Sequence, residues 1–219
     1  DVPWLQLVLP GQIAPSADAT AQIHALGHQF RPVEATRLTD GQLLGLSVSS
    51  PDLLEEAIPF ALENGFDMLL LDGSRGLGTP WAELSGEPDL TILRDAVTIL
   101  RRLRREEEID LVFFGGVRSG TDTAKLIAMG SMAVILGVIL GLAVGGEINA
   151  NHEMQFAADR SDAERAEAVA NILTASAQEA SMMARCTGKT NLHNVEPEDL
   201  RAISKATAEA TGIPLAGTL

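Results

Sequence analysis

Residues 109–120, which read IDLVFFGGVRSG, decide how this chain folds. The first six residues form a short, almost continuously apolar run, which is typical of a strand buried in a parallel sheet. Two glycines follow, and the chain then enters an amphipathic stretch that begins near Thr121 and is closed by Gly130. The segment therefore predicts a strand, a glycine turn and a helix in that order.

The same unit recurs through the middle of the sequence. The other apolar runs that end in turns predict three more strands, at 43–49, 66–71 and 133–136. Amphipathic helices are predicted between consecutive strands. This alternation is typical of a parallel sheet with crossover helices, and it predicts an α/β protein with a (β/α) barrel of the TIM type. These units supply only four strands where a closed barrel has eight, so we expect a partial or truncated barrel.

The first part of the chain is less regular. Within residues 1–42, a strand at 4–9 and a helix at 17–26 are the only elements predicted. The strand and helix units, with the glycine turns between them, occupy residues 43–146. No linker separates two domains, and one hydrophobic core usually serves about 100 to 250 residues, so we expect residues 1–219 to form a single domain.

Residues 147–219 predict a helical extension. Apolar residues at helical spacing predict a long helix at 161–185, and Ser161 with Glu164 predicts a capping box at its start. A shorter helix, predicted at 197–211, would form a docking tail.

The composition disfavours several classes of function. Thirty Asp and Glu residues against sixteen Lys and Arg give a net charge of -14, which repels nucleic acid and anionic membrane surfaces. A single cysteine, Cys186, excludes an intrachain disulfide and fits a reducing, cytoplasmic compartment. Its place after a helix predicts a buried structural cysteine. The chain begins at Asp1 without Met or a secretory signal, so we expect an N-terminus further upstream.

Residues 126–146 allow two interpretations. This run carries no charged residue and is long enough to span a bilayer. Five glycines interrupt it, however, and residues 133–137 have the length and flanking turns of a buried parallel strand. We favour a strand followed by a turn, and a membrane-associated protein is the alternative.

Two glycine turns are predicted to meet at one end of the sheet. Gly115, Gly116 and Arg118 follow one predicted strand, and Gly137 and Val138 follow the next. Glycines let the backbone approach a phosphate closely, and amides at a helix N-terminus stabilise its charge. In (β/α) barrels a phosphate commonly lies between the last two strand ends. These residues predict a phosphate site, with two ordinary glycine turns as the alternative.

The turn at 115–120, taken together with Gly137, resembles the phosphate-binding region of the FMN domain of glutamate synthase. Residues 186–200 and 212–217 are similar to the closing segment of a branch that includes methylamine-glutamate methyltransferase (N-methylglutamate synthase) subunits. The resemblance implies that FMN is held by its phosphate at Gly115, Gly116, Arg118 and Gly137. It also implies an FMN-dependent oxidoreductase of the glutamate-synthase type, which passes electrons to an imine made from a 2-oxo acid and an amine.

The sequence departs from this family at several positions. Ser47 stands where the family has a lysine near the flavin, and Val138 replaces a threonine that closes the phosphate site. The family's loop after Asp72 and Gly73 is rich in Gly and Thr, whereas this chain continues with Ser74. The cysteine trio of the family is absent, so no iron-sulfur cluster is expected. These departures imply the alternative of a non-catalytic structural or regulatory subunit.

Either function would require a partner, because half a barrel leaves two open edges and an uncovered core. We expect a second copy of the chain, or a partner subunit, to supply the missing strands.

Other polar residues are weaker candidates for a functional role. Asp72 ends a predicted strand, where it could contact the flavin or form an ordinary Asp-Gly turn. Arg75 is interpreted as an exposed loop arginine rather than a partner for a substrate carboxylate. His24 and His28 share one face of the helix predicted at 17–26, but no third ligand is evident, so no metal site is predicted. His193 is expected to pack and hydrogen-bond the tail.

Overall fold

The protein is described by a computed structural model that covers residues 3–9, 11, 14–76, 81–84, 86–156 and 159–218. Six parallel strands form one sheet whose spatial order is the chain order. They are β1 (Leu5–Val8), β2 (Ala21–Ala25), β3 (Leu43–Val48), β4 (Met68–Asp72), β5 (Asp110–Phe114) and β6 (Ala133–Ile135). Because each strand pairs with the next one along the chain, the sheet winds in a single direction, as the wall of a (β/α) barrel does. The predicted fold class is confirmed.

Helices connect the later strands and continue into the C-terminal part. They are α1 (Leu54–Glu63), α2 (Thr91–Leu103), α3 (Gly120–Ala128), α4 (Val138–Ala143), α5 (Asp162–Cys186) and α6 (Lys205–Thr211). Short 3-10 turns lie at Pro51–Leu53, Ala82–Leu84, Leu192–Asn194 and Pro197–Asp199. A two-stranded antiparallel hairpin, β7 (Gly146–Ile148) and β8 (Met154–Phe156), lies between α4 and α5.

The hydrophobic core lies between the sheet and the helices. Leu46, Leu69 and Leu111 are neighbours across three strands, and all three are buried. Buried residues of the helices, such as Ile58 of α1 and Leu93 of α2, pack in the same cluster. Burying each such side chain contributes about 1.5–3 kcal/mol, so this face supplies most of the driving force for folding.

The first 42 residues contribute two strands to the sheet. The strand predicted at 4–9 is confirmed as β1, but the helix predicted at 17–26 is wrong, because all five residues of β2 are buried between β1 and β3. The polar side chains of this strand have partners there: Gln22 Nε2 donates to Gln42 Oε1, and His24 Nε2 lies 3.2 Å from Gln22 Oε1. His24 and His28 therefore do not share a helix face. Within the described residues, the sheet has six of the eight strands of a closed barrel, where the strand and helix units predicted four.

Residues 126–146 are divided among three elements. They hold the end of α3, strand β6 as predicted, and α4, a six-residue helix where a turn was predicted, while the last residue, Gly146, begins β7. Among the described residues, the structure contains no helix long and apolar enough to cross a membrane.

The C-terminal extension predicted at 147–219 is helical from α5 onward, but it begins with the β7–β8 hairpin, which was not predicted. Helix α5 begins with the predicted capping box of Ser161 and Glu164. The single helix predicted at 197–211 is wrong, because a 3-10 turn at Pro197–Asp199 is separated from α6 by an extended segment. The helix begins only at Lys205 because Ser204 caps it: the Ser204 side chain accepts a hydrogen bond from Thr207 N.

Candidate functional site

The candidate site lies at the carboxyl ends of β4, β5 and β6, where the loops pack closely against each other. Gly73 N donates to Phe114 O at 2.8 Å and links the ends of β4 and β5. Gly115 has φ +134, and a Cβ atom there would lie 2.9 Å from Ser74 N. Only glycine can therefore follow β5 at this point.

Two backbone amides converge beyond these turns on one carboxylate. Gly116 N donates to Glu83 Oε1 at 2.8 Å, and Val138 N donates to Glu83 Oε2 at 2.8 Å. We call these two amides, together with Gly137, which directly precedes Val138, the amide cradle. A Cβ atom on Gly137 would overlap Glu83 Oε2. The structure thus brings together the two turns predicted to bind phosphate, and a side chain of the protein itself lies between them.

The electrostatic environment disfavours the ionised form of Glu83. Burial raises the pKa of this carboxyl group, the hydrogen bonds from Val138 N and Gly116 N lower it, and the charge of Asp72 raises it again; the net shift is upward. Asp72 itself is fully buried and accepts from Ser74 N at 2.9 Å and from Ser74 Oγ at 2.5 Å. This pattern is that of an Asp turn, and it places a second carboxyl group close to the cradle.

The N-terminus of α3, which the sequence also assigned to an anion, is bonded to another carboxylate. Gly120 N donates to Glu179 Oε2 at 2.9 Å, and Thr121 Oγ1 donates to Glu179 Oε1. The hydrogen bond from the Thr121 hydroxyl holds the pKa of Glu179 below its usual value. Because Glu179 belongs to α5, this contact ties the two helices together.

Arg118 is placed differently from the other predicted phosphate ligands. Its side chain is 82% exposed and forms an ion pair with Asp122 at 3.1 Å. It lines a cavity of about 350 Å³ between α3 and the tail, which Lys125, Leu200 and Thr211 also line. Its role in binding phosphate stays a prediction.

The remaining candidates have mainly structural contacts. Arg75 is 69% exposed and pairs with Asp89 at 2.5 Å, as expected for a loop arginine. His193 Nε2 lies 3.0 Å from Met132 O and so links the tail to the start of β6. Cys186 is exposed at the end of α5, so the prediction of a buried cysteine is wrong. Ser47 is buried within β3. Residues 77–79 of the loop after Gly73 lie outside the described residues.

Sequence reasoning missed Glu83. It precedes Gly116 by 33 residues and Val138 by 55, and no spacing rule connects positions so far apart. The available signal was an acidic residue in the loop after β4, which ends at the same edge of the sheet as β5 and β6. Among the described residues, no group of three or more His, Cys, Asp or Glu side chains could hold a metal ion.

Comparisons with known proteins extend this picture. No protein-family model matches the chain. The chain is 35% identical over 191 residues to a glutamate synthase large subunit-like protein of Rhizobium meliloti, covering 72% of this chain and 43% of that protein. It is 33% identical over 89 residues to a peroxisomal (S)-2-hydroxyacid oxidase of Arabidopsis thaliana, covering 40% of this chain and 22% of the relative. The chain therefore spans less than half the length of either relative.

Solved structures resemble the fold over most of the chain. A flavocytochrome b2 with sulfite bound aligns with TM-score 0.56 at 16% identity, covering 97% of this chain and 64% of that one. A mandelate oxidase aligns with TM-score 0.50 at 16% identity, covering 81% of this chain and 53% of that one.

Together the fold and the site define a class: an incomplete (β/α) barrel in which two turns at adjacent strand ends donate their amides to one carboxyl group. The chain belongs to the FMN-binding (β/α)-barrel family, which includes glutamate synthase-like proteins and 2-hydroxyacid oxidases. FMN is the cofactor of this family, as the sequence predicted. The narrower assignment to the branch with N-methylglutamate synthase subunits stays a prediction.

Proposed function

We propose that this chain is part of a cytoplasmic FMN-dependent oxidoreductase of the glutamate-synthase type, which reductively aminates a 2-oxo acid. The observation that carries the proposal is the amide cradle at the ends of β5 and β6. The carboxylate of Glu83 stands in for a phosphate there, because each of its two oxygens accepts a hydrogen bond from one amide at 2.8 Å. A phosphate group presents the same pair of anionic oxygens, so the residues of the cradle fit it.

In this proposal, each residue of the site has a limited role. The amides of Gly116 and Val138 would hold the phosphate, and Gly115 keeps the turn close to β4. FMN, when bound, supplies the hydride-transfer chemistry, and the protein supplies orientation and electrostatics. Asp72 would be the carboxyl group nearest to the cradle from β4, fixed by its two hydrogen bonds to Ser74.

A second candidate function is a non-catalytic subunit with the same fold. The observation that favours it is that internal carboxylates already occupy the amides in the structure, Glu83 in the cradle and Glu179 at α3. The residue at the family's lysine position is Ser47, and a neutral hydroxyl cannot supply positive charge to a flavin. Such a protein would keep the barrel wall and lack turnover.

One experiment separates the two functions. The full chain is titrated with FMN while flavin fluorescence is followed, and the complex is then reduced in the absence of oxygen. Reoxidation by 2-oxoglutarate only when ammonium or methylamine is also present would support the oxidoreductase. Binding of FMN without reoxidation would favour the non-catalytic subunit. Absence of FMN binding at micromolar concentrations would overturn the flavin assignment itself.

We also propose that a partner completes the barrel. Leu111 and Phe113 of β5 are buried beneath the helices, whereas Val112 and Phe114 on the opposite face of the strand are only half-buried. Ile135 of β6, the neighbour of Phe114, is also half-buried. Within the described residues, β1 and β6 pair on one side only. An apolar face and two open strand edges favour association with further strands.

Analytical ultracentrifugation of the purified chain at micromolar concentration tests this. We expect a dimer or larger species if a second copy covers the face. A monomer that binds an apolar dye would indicate a different polypeptide as the partner. A monomer that binds no dye would overturn the proposal.

A further inference from the structure

The amide cradle can hold one occupant at a time. Both of its amides donate to Glu83, and the overlap between Glu83 Oε2 and a Cβ atom built on Gly137 shows that the carboxylate fills the space between the turns. A phosphate at the same two amides would have to occupy the positions of Oε1 and Oε2. Glu83 and a bound phosphate therefore exclude each other.

We propose that Glu83 is a displaceable internal ligand of the cradle, and that binding of a phosphate-bearing ligand releases it together with the turn Ala82–Leu84. The proposal rests on the proposed function, since FMN is the ligand it assigns to the cradle. In the free chain, the carboxylate satisfies two amides that would otherwise lack acceptors. In the bound chain, the phosphate takes over this role.

Stronger hydrogen bonding explains why a phosphate can win this competition. Glu83 is half-buried beside Asp72, and both effects disfavour negative charge in the cradle, that of a phosphate as well as that of Glu83. On leaving, its carboxylate regains water and moves away from Asp72. A phosphate monoester carries about 1.5 to 2 negative charges and three acceptor oxygens, so it makes stronger bonds to the same amides. A ligand with a single carboxylate has no such advantage over Glu83.

A tryptophan beside the turn that carries Glu83 can report movement of this turn. Trp81, which directly precedes it, has φ +58, a left-handed conformation that is unfavourable for a bulky residue. Its ring packs on Phe156 of β8 with 5.7 Å between ring centroids, and it also lies against Gly141 of α4. Movement of the turn would change the surroundings of Trp81. The chain has only one other tryptophan, Trp4, so Trp81 fluorescence can be isolated in a Trp4→Phe background.

The test compares anion binding by four proteins in that background: the parent, Glu83→Gln, Glu83→Ala and the control Glu87→Gln. Glu87 is exposed and lies in the same loop, so its substitution removes the same charge without touching the cradle. Inorganic phosphate is titrated while Trp81 emission is followed, and FMN is titrated by flavin fluorescence. Circular dichroism checks folding, and Glu83→Gln, which keeps the size of the side chain, decides the result if Glu83→Ala does not fold.

We expect both Glu83 variants to bind phosphate and FMN more tightly than the parent, with Glu87→Gln unchanged. If Glu83 occupies the cradle in nine molecules of ten, its removal lowers the apparent Kd about tenfold. Phosphate should shift Trp81 emission in the parent and much less in the variants, where the turn is already released.

The outcomes separate this inference from the proposed function. Equal or weaker binding by both Glu83 variants, in a parent that binds FMN, overturns the inference and leaves the proposed function intact. Tighter binding of phosphate without any FMN binding supports the displaceable ligand and overturns the flavin assignment. Absence of binding of either ligand by every variant overturns both.

Discussion

Glu83 and Glu179 make nearly the same hydrogen bonds in neighbouring parts of the molecule, yet their pKa values shift in opposite directions. Each carboxylate accepts from a backbone amide in or beside the turn that follows β5. The pKa of Glu83 is raised, chiefly by burial, whereas that of Glu179 is lowered, chiefly by the hydroxyl of Thr121. The charged form is therefore disfavoured at the cradle and favoured at α3. We have proposed that a ligand displaces the carboxylate at the cradle, whereas the contact at α3 is a permanent structural one.

The two side chains also belong to elements of very different length. Glu179 belongs to α5, a 25-residue helix that packs along α3, and Glu83 belongs to the three-residue turn Ala82–Leu84. The long helix holds the carboxylate of Glu179 in place, whereas the short turn can move and take the carboxylate of Glu83 away from the amides. The following predictions test this difference, starting with the largest expected effect.

Gly120 lies at the contact between α3 and α5, so we expect Gly120→Ala to cause the largest loss of stability. A Cβ atom there would overlap Ser176 O and lie 2.6 Å from Ala180 N, so α5 would have to move away. Overpacking of this kind typically costs about 1–3 kcal/mol in the free energy of unfolding. Urea denaturation measures the change. Gly27→Ala is the control, because a Cβ atom on Gly27 would meet nothing within 4 Å. Equal stability of the two variants would show that α3 and α5 are not held rigidly together.

Glu179→Gln should lower stability at neutral pH by a smaller amount. Because the folded pKa of Glu179 lies below its ordinary value of 4.5, the native state binds fewer protons than the unfolded state near that pH. The contribution of this carboxylate is therefore complete above pH 4.5 and is lost as the pH falls through the folded pKa. The difference in Tm between the parent and Glu179→Gln should accordingly shrink in acid. A difference that is independent of pH would assign the effect to packing instead of charge.

Glu83→Gln should show the opposite dependence on pH, with a smaller magnitude. The folded pKa of Glu83 lies above the ordinary value of 4.5, so the native state binds the proton more tightly than the unfolded state. Stability from this group is present below pH 4.5 and is lost as the pH rises through the folded pKa. A glutamine does not titrate, and its side-chain nitrogen cannot accept the hydrogen bond that one of the two cradle amides donates to Glu83. The parent should therefore be more stable than Glu83→Gln in acid, and this difference should shrink as the pH rises. Thermal unfolding at several pH values measures this, and a difference that grows with pH would contradict it.

The sequence predicted those parts of the fold that depend on local patterns. Strands β3 to β6 were located within about two residues because each is an apolar run bounded by turns. The glycine turns of the cradle were predicted because glycines follow two adjacent apolar runs, where they let the backbone approach a ligand closely. Strand β2 was not, because Gln22 and His24 give it a pattern that suits a helix face equally well. Only their partners in the folded chain make a buried strand acceptable for these polar side chains.

The occupant of the cradle depends on tertiary structure alone. Glu83 comes from a loop after β4, and its contacts with Gly116 and Val138 exist only once three strand ends have been brought together. The sequence thus predicted the two turns that meet at the cradle, without revealing that the chain supplies a carboxyl group to their amides.

Arg118→Ala should give the smallest effect of the four substitutions. The resemblance to the glutamate synthase domain implies that this arginine holds the FMN phosphate, whereas the structure pairs its largely exposed side chain with Asp122. An exposed ion pair is worth about 0–1 kcal/mol, so its loss should change stability little. The same small energy limits any weakening of FMN binding to less than about fivefold, provided that the amides of Gly116 and Val138 carry the contact. Fluorescence titration with FMN decides between the two assignments. A loss of a hundredfold or more would mean that Arg118 leaves Asp122 to bind the phosphate directly, and the cradle would then need this side chain as well as its amides.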